Sequence, residues 1–367
     1  MPHSGGRVSA RLPDFPWDQL SPYKARAAAH PDGLIDLSMG TPVDPVPELV
    51  QAALAAAGDA PGYPTTAGTP ELRDAISTYL SDRFGVPGTA AVLPTIGSKE
   101  LVAGLPAQLG LGPADLVVIP RLAYPTYEVG ARLAGAQCLA ADSLTAIGPR
   151  RVALLWLNSP ANPTGKILPV THLRKVVAWA RERGVIVASD ECYLELGGAE
   201  QPVSILHPDV SDGDLTGLLA VHSLSKRSNL AGYRAGFVAG DPALVAELLA
   251  VRKHAGLIVP TPVQAAMTAA LRDPAHVDAQ RQRYDRRREL LRAALGSAGF
   301  AIEHSQAGLY LWASRDEDCW QTVEFLAERG ILVSPGAFYG PAGGRHVRVA
   351  LTATDAHVAA AADRLTG

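Results

Sequence analysis

Between residues 47 and 240 short apolar runs alternate with amphipathic stretches, and this alternation restricts the available folds more than any other feature of the chain. The runs 115–119 (DLVVI), 152–157 (VALLWL), 185–188 (VIVA), 217–222 (GLLAVH) and 235–239 (AGFVA) are apolar at consecutive positions. A strand of that kind needs cover on both faces. Helical patterns over 71–84, 99–109, 127–134 and 170–183 fall between them. Strand and helix in turn build βαβ units, so the expectation is an α/β region with a largely parallel sheet.

After about Asp241 the texture changes. Three helical segments (242–254, 262–272 and 275–298) precede apolar runs at 308–312, 331–333 and 346–351, with further helices at 320–329 and 355–365. That order reads as a smaller α+β unit. The basic run 281–292 (RQRYDRRRELLR) has its arginines at helical spacing among apolar and acidic residues, the pattern of a solvated helix face. Residues 1–45 are rich in Pro and Gly and read as an arm packed on something else. The expected division is therefore an arm over 1–45 that belongs to the small domain, a large domain over 46–255 and a small domain over 256–367.

Composition removes several classes of function. Of 367 residues, 47% are hydrophobic and 19% charged, enough to bury a core and unlike a disordered chain. The net charge of −3 offers no basic excess for nucleic acid. No apolar run reaches the ~18 to 20 residues of a membrane span, and the first twenty residues contain no apolar stretch of a signal peptide. Cys138, Cys192 and Cys319 stand far apart, without a CxxC pair. No metal site, nucleic-acid partner or membrane association is expected, and the economical compartment is a reducing cytoplasm.

Three segments carry chemistry. In 223–236 (SLSKRSNLAGYRAG), Lys226 follows an apolar strand among hydroxyls, with Arg234 eight residues on. A lysine that attacks an aldehyde needs a partly desolvated amine, and the Ser223 hydroxyl with the Arg234 guanidinium can hold a phosphate. The stretches 158–165 (NSPANPTG) and 190–193 (DECY) each follow an apolar strand, at the end where ligands bind in a parallel sheet. Asp190 there can keep a pyridine nitrogen protonated, while Asn162 and Tyr193 can donate to a ring phenolate. Singly, each has an ordinary reading: a surface lysine, an Asn-Pro-Thr-Gly turn, an Asp that caps a helix. It is their combination that points to one cofactor. Arg348 lies inside an apolar strand (HVRVAL), where a buried guanidinium needs an anionic partner. Trp312 reads as core, and Cys192 is given no role.

Spacings of 28 from Asn162 to Asp190, 3 from Asp190 to Tyr193 and 36 from Asp190 to Lys226 resemble the fold-type-I, class I/II aminotransferases dependent on pyridoxal phosphate. The resemblance runs from about Asp36 to the C-terminus. It implies a large domain with a mostly parallel seven-stranded sheet flanked by helices, a small domain made from both chain ends, and a homodimer with shared active sites. Lys226 would form the Schiff base with the cofactor and shuttle a proton at the substrate Cα. Asp190 would pair with the pyridine nitrogen, Tyr193 and Asn162 would bind the phenolate oxygen, and Tyr124 would stack on the ring. Gly97, Ser98 and Lys99, at a helix N-terminus suited to a dianion, would form the phosphate cup with Ser223 and Arg234. Lys99 departs from the small or uncharged residue common there. Tyr63 would reach the neighbouring subunit's phosphate. Arg348, with Gly40 and Asn162, would receive the substrate α-carboxylate.

A narrower resemblance rests on 40–47 (GTPVDPVP), 222–236 and the ending HVRVALTATD. These are similar to the actinobacterial N-succinyldiaminopimelate aminotransferases of lysine biosynthesis. That implies 2-oxoglutarate or glutamate as one partner and a long N-acylated acidic amino acid as the other. No residue declares itself for the succinyl end, and the arm from Phe15 to Tyr23 is a candidate lid. Three alternatives remain open: an aspartate or aromatic aminotransferase, a carbon–sulfur β-lyase, and a non-catalytic regulator that keeps the cofactor.

Overall fold

The structure, a computed structural model, describes residues 7–198 and 200–367; residues 1–6 of the expected arm and Ala199 lie outside the described residues. Its centre is a seven-stranded sheet. In spatial order the strands are Ala91–Ile96, Ala235–Gly240, Leu218–Ser223, Ile186–Asp190, Leu154–Asn158, Leu116–Ile119 and Gln137–Ala140. All are parallel except Ala235–Gly240, which runs against both neighbours.

Period-2 alternation sends successive side chains of each strand into two separate cores. Leu155, Leu157, Val187 and Ala220 pack on one face with helices Pro70–Phe84 and Val170–Arg183. Leu154, Trp156, Ala188 and Val221 pack on the other with helices Gly97–Gln108, Thr126–Leu133 and Pro242–Ala255. Both faces are covered, as the consecutive apolar runs require. Helix Thr261–Arg272 buries Ala266, Met267, Ala270 and Leu271 in the first of these cores. The apolar core of the large sheet therefore extends past residue 255.

Two edge strands lie outside the five apolar runs, although a strand just before Gly97 is expected from the sequence. Ala91–Ile96 contains Pro94, which argues against a central strand, but an edge strand does not need the missing N–H. Gln137–Ala140 closes the other edge and is half exposed, so it lacks the apolar signature.

A second core joins both ends of the chain. Leu20, Ile35 and Leu37 pack with residues from Tyr284 to Leu365. Ile35–Asp36 pairs in parallel with Ile331–Leu332, and a four-stranded antiparallel sheet runs Ser334–Pro335, Val347–Ala350, Tyr310–Ser314, Ala301–Glu303. The arm contains a short helix, Ser21–Ala28, and Tyr23 stacks on Trp320 at 5.4 Å. Among the described residues no helix is long and apolar enough to cross a membrane.

The basic run corrects one expectation. It lies within helix Ala275–Ser297, but Arg287 and Arg288 are buried rather than solvated. Arg287 grips both Asp44 oxygens at 2.7 and 2.9 Å and also reaches Asp355. Gln280 adds a bond of 2.8 Å to Asp44. Helical spacing reports which residues share a face, not whether distant carboxylates will come to meet them. These bonds tie residues 41–47, which link the two cores, to the long helix.

Burial works against the Asp44 carboxylate, yet the bonds from Arg287 and Gln280 outweigh it and hold its pKa below the usual range. A depressed carboxylate stabilises the fold above its unfolded pKa, and that contribution is lost as pH falls through the folded value. Asp44→Asn should therefore lower stability by about 2 kcal/mol at pH 7, with the difference shrinking below roughly pH 4. Thermal unfolding of both proteins at pH 7 and pH 3 checks this.

Candidate active site

Strands Leu154–Asn158, Ile186–Asp190 and Leu218–Ser223 end side by side, with Asn158 opposite Asp190 and Asp190 opposite Val221. Beyond their carboxyl ends lies a cavity of about 590 Å³. It gathers Gly40, Ser98, Lys99, Tyr124, Asn162, Asp190, Tyr193, Ser223, Lys226, Arg234 and Arg348 from segments far apart in sequence. Gly97 lies directly behind the guanidinium of Arg234. Tyr63 is not among the lining residues, and its side chain is fully exposed in this single chain.

Asp190 is buried at 6% exposure. Its Oδ2 accepts from the Tyr127 hydroxyl at 2.8 Å and its Oδ1 from the Cys192 N–H at 3.2 Å. Burial raises its pKa, and the bonds from Cys192 and Tyr127 only partly oppose that rise. Among the described residues no Lys, Arg or His lies within 4 Å of this carboxylate. Lys226 is the third residue of the one-turn helix Leu224–Arg227, and its amine donates to the Gly40 carbonyl. Burial, with the charges of Arg348 and Arg234, lowers the amine's pKa below the ordinary lysine value. That shift favours the neutral, nucleophilic form.

At one end of the cavity, helix Gly97–Gln108 starts directly after an edge strand and turns its N-terminus toward Arg234. Arg234 itself holds a left-handed backbone (φ 55°), and its Nη1 donates to Ala231 O at 2.9 Å. A Cβ on Gly97 would stand 2.5 Å from Arg234 Nη2. The close approach therefore depends on glycine, which also adopts φ 71° there without strain. Ser98, Ser223 and Ser225 add hydroxyls around the same end.

At the other end Arg348 is 3% exposed on strand Val347–Ala350, whose Val347 and Val349 point into the small core. Its Nη1 donates to Asn162 Oδ1 at 2.9 Å and its Nη2 to Ser38 O at 2.6 Å, while Nε has no partner. The guanidinium lies 3.9 Å from the centre of the Tyr310 ring. Asn162 is set by its own turn, its N–H bonded to Asn158 Oδ1 at 2.7 Å.

Sequence reasoning passed over Tyr310 and Tyr127. The Tyr310 hydroxyl is 3.1 Å from that of Tyr193, and a Cβ on Gly40 would overlap it. Gly40 is thus demanded by Tyr310 as well as by any ligand. Tyr310 falls two residues before Trp312 on one strand face, and Tyr127 falls one helical turn after Tyr124; those spacings were the available signals. The arm also reaches the site: Leu12, Phe15 and Trp17 line the cavity, and Trp17 packs on Phe338 at 5.6 Å. Trp312 is fully buried against His346, as expected of core.

The donor set fits pyridoxal phosphate. Hydroxyls, a helix N-terminus and a guanidinium suit a phosphate ester, and a buried carboxylate without a cation suits a protonated ring nitrogen.

The family profile "Aminotransferase class I and II" matches residues 32–365. "Probable aminotransferase Rv1178" of Mycobacterium tuberculosis is 67% identical over 98% of this chain and 87% of its own length. "4-dedimethylamino-4-oxo-anhydrotetracycline transaminase OxyQ" of Streptomyces rimosus is 60% identical, covering 97% of this chain and 99% of its own. Among solved structures, a "probable N-succinyldiaminopimelate aminotransferase" from Thermus thermophilus superposes with a TM-score of 0.86 at 29% identity, over 95% of this chain and 99% of that one. The two relatives with higher identity carry names other than succinyldiaminopimelate aminotransferase.

Gly97→Ala should push Arg234 out of place and weaken pyridoxal phosphate binding by about tenfold, the order of one charge-assisted hydrogen bond. Spectral titration of the cofactor-stripped protein measures it, and unchanged affinity would contradict the Gly97–Arg234 packing argument.

Proposed function

The chain belongs to the class I and II aminotransferases, which use pyridoxal phosphate, and on that premise we propose a ping-pong aminotransferase acting on a long amino acid with a distal carboxylate. The amino acid is of the N-succinyl-diaminopimelate kind, with 2-oxoglutarate or glutamate as the other partner. The observation that carries this reading is an imbalance of charge in one cavity. Asp190 has no cation within 4 Å, and Lys226, Arg234, Arg348 and Lys99 have no carboxylate within 4 Å, among the described residues. Asp190 and Arg348 are buried and Lys226 is partly so, while Arg234 and Lys99 face the open cavity. A buried charge left without a partner is costly, so the arrangement suits a ligand that carries both signs.

The cofactor, when bound, supplies an electron-accepting ring that stabilises negative charge at the substrate Cα. Ser98, Ser223 and Arg234, with the backbone of Gly97 and Lys99, hold its phosphate. Tyr124 covers the ring. Asp190, already stripped of water, holds the ring-nitrogen proton, because a desolvated carboxylate gains most from a cationic neighbour. Asn162 and Tyr193 donate to the ring oxygen. Lys226 would carry the cofactor and move the proton at Cα; burial lowers its amine's pKa, which favours the proton-accepting form. Arg348 receives the α-carboxylate, with its unpartnered Nε as the free donor. Tyr63 reaches the phosphate site of a second copy, which makes the working unit a homodimer.

Lys99 is the reader we assign to the distal carboxylate. Its amine lies 6.0 Å from the Phe15 ring, on the side of the cavity walled by the arm. The same wall supports a second reading, amination of a bulky aromatic ketone, because Phe15 and Trp17 offer flat apolar surface 5.4 Å apart. The substrate in the name of the Streptomyces rimosus relative is of that kind. A donor panel with 2-oxoglutarate, an aromatic ketone with glutamate, and pyruvate release from cystathionine separate these readings from a β-lyase.

Lys226→Ala should reduce transamination by about 10⁴-fold with the fold intact, and Asp190→Ala by about 10³-fold; near-wild-type rates in either would overturn the assigned role. Lys99→Met should raise KM about tenfold for the distal dicarboxylate alone. Removal of residues 7–17 should raise KM for every long substrate. Steady-state kinetics across the panel tests both, and equal effects of Lys99→Met on neutral and acidic donors would remove Lys99 as the reader.

A further inference from the structure

Arg227 follows Lys226 directly but is absent from the cavity lining, and it is buried at 4% exposure. Its Nε is bonded to the buried carboxylate of Glu195. Its Nη1 donates to Ser228 Oγ at 3.2 Å and to Ala270 O at 3.3 Å, and its guanidinium lies 4.9 Å from the Tyr79 ring centre. The Tyr79 hydroxyl donates to Glu195 Oε2 at 3.0 Å, and Arg83 Nε approaches Glu195 Oε1 at 3.4 Å. Ser228 is bonded in turn to His276 at 2.8 Å, whose other nitrogen meets Asp273 at 2.9 Å. Helices Pro70–Phe84, Thr261–Arg272 and Ala275–Ser297 therefore all feed one buried polar network.

What the network joins is informative. Arg227 belongs to the one-turn helix that presents Lys226, closed by Ser228 N–H to Leu224 O at 3.2 Å. Glu195 lies two residues after Tyr193 in a turn fixed by Leu194 N–H to Glu191 O (3.0 Å) and Leu196 N–H to Tyr193 O (2.9 Å). No hydrogen bond among the described residues joins Lys226 to Tyr193 directly. The Arg227–Glu195 pair links the turns that carry them.

We propose that Arg227 and Glu195 are positioning residues: a buried ionic clamp that sets the separation of the Lys226 amine and the Tyr193 phenol. A buried ion pair is weak evidence for stability, since an apolar pair of similar volume serves about as well. What apolar contact lacks is direction: one planar guanidinium fork points its Nε at Glu195 and its Nη1 at Ser228 and Ala270, so the angles among these partners are fixed together. A small misplacement of a reacting amine is enough to slow chemistry far more than binding. The proposal rests on Lys226 being the lysine that carries the cofactor.

The test compares Arg227→Met/Glu195→Leu, which swaps the clamp for apolar volume, with Arg227→Lys, which keeps the charge and loses the fork. Both should melt near the wild-type temperature. Turnover should fall about 10- to 100-fold, with KM for both substrates within about twofold. The absorbance change on mixing pyridoxal phosphate with the cofactor-stripped protein, a readout independent of turnover, should slow in step. A folded double variant with wild-type kcat and a wild-type absorbance rate would overturn the clamp. Should the double variant not fold, Arg227→Lys decides on the same two rates, and wild-type values overturn it equally. Lys226→Ala run alongside keeps the two ideas apart: activity retained there removes the reading of Lys226, whereas its loss beside a normal clamp variant removes only the clamp.

Discussion

The parallel ladder pairs Asn158 with Asp190 and Asp190 with Val221, so two strands stop at one level and the third runs two residues past them to Ser223. The antiparallel partner pairs Ser223 with Gly236, two residues after Arg234. One residue of slip in any pair would turn its side chains to the opposite face. Slip is opposed by the cores: Leu154 and Trp156 belong to one, Leu155 and Leu157 to the other. Apolar packing on both faces is thus what holds Asp190 and Ser223 at the cavity, and the polar site depends on it.

The cavity is an electrostatic exception within a chain of net charge −3. Buried arginines elsewhere find carboxylates inside the protein, as Arg252 does with Glu100, Arg287 with Asp44 and Arg227 with Glu195. In the cavity Arg348 has an amide oxygen, a carbonyl and an aromatic face instead of a carboxylate. Desolvation without an internal counter-charge raises the pKa of Asp190 and lowers that of Lys226. Both shifts bring the groups toward neutrality until a ligand supplies the missing charge.

Much of this was legible in order along the chain. Consecutive apolar residues at 152–157 and 185–188 demanded a sheet covered on both sides, and the residues just after such runs held the chemistry. A strand running into Gly97 was legible, but its pairing was not: Pro94 argues against a ladder, and only a place at the sheet edge makes the proline harmless. Tyr310 was hidden inside an apolar run, since a tyrosine in a strand shows its hydroxyl's use only when the opposite wall is known. The burial of Arg287 was hidden for the same reason: its carboxylate, Asp44, is 243 residues away.

The sequence by itself determined the α/β class and the cofactor, and it named a small set of candidate residues that the fold brings to one cavity. These follow from local periodicity and from short motifs whose members are close in the chain. Only the tertiary structure decided which distant groups share a wall: Arg348 against Asn162, the Lys226 amine against Gly40, and the arm residues Phe15 and Trp17 against Lys99. Those contacts join segments more than a hundred residues apart, or an irregular arm to a regular core. Their physical basis is the cooperative packing of two cores, which no local pattern encodes.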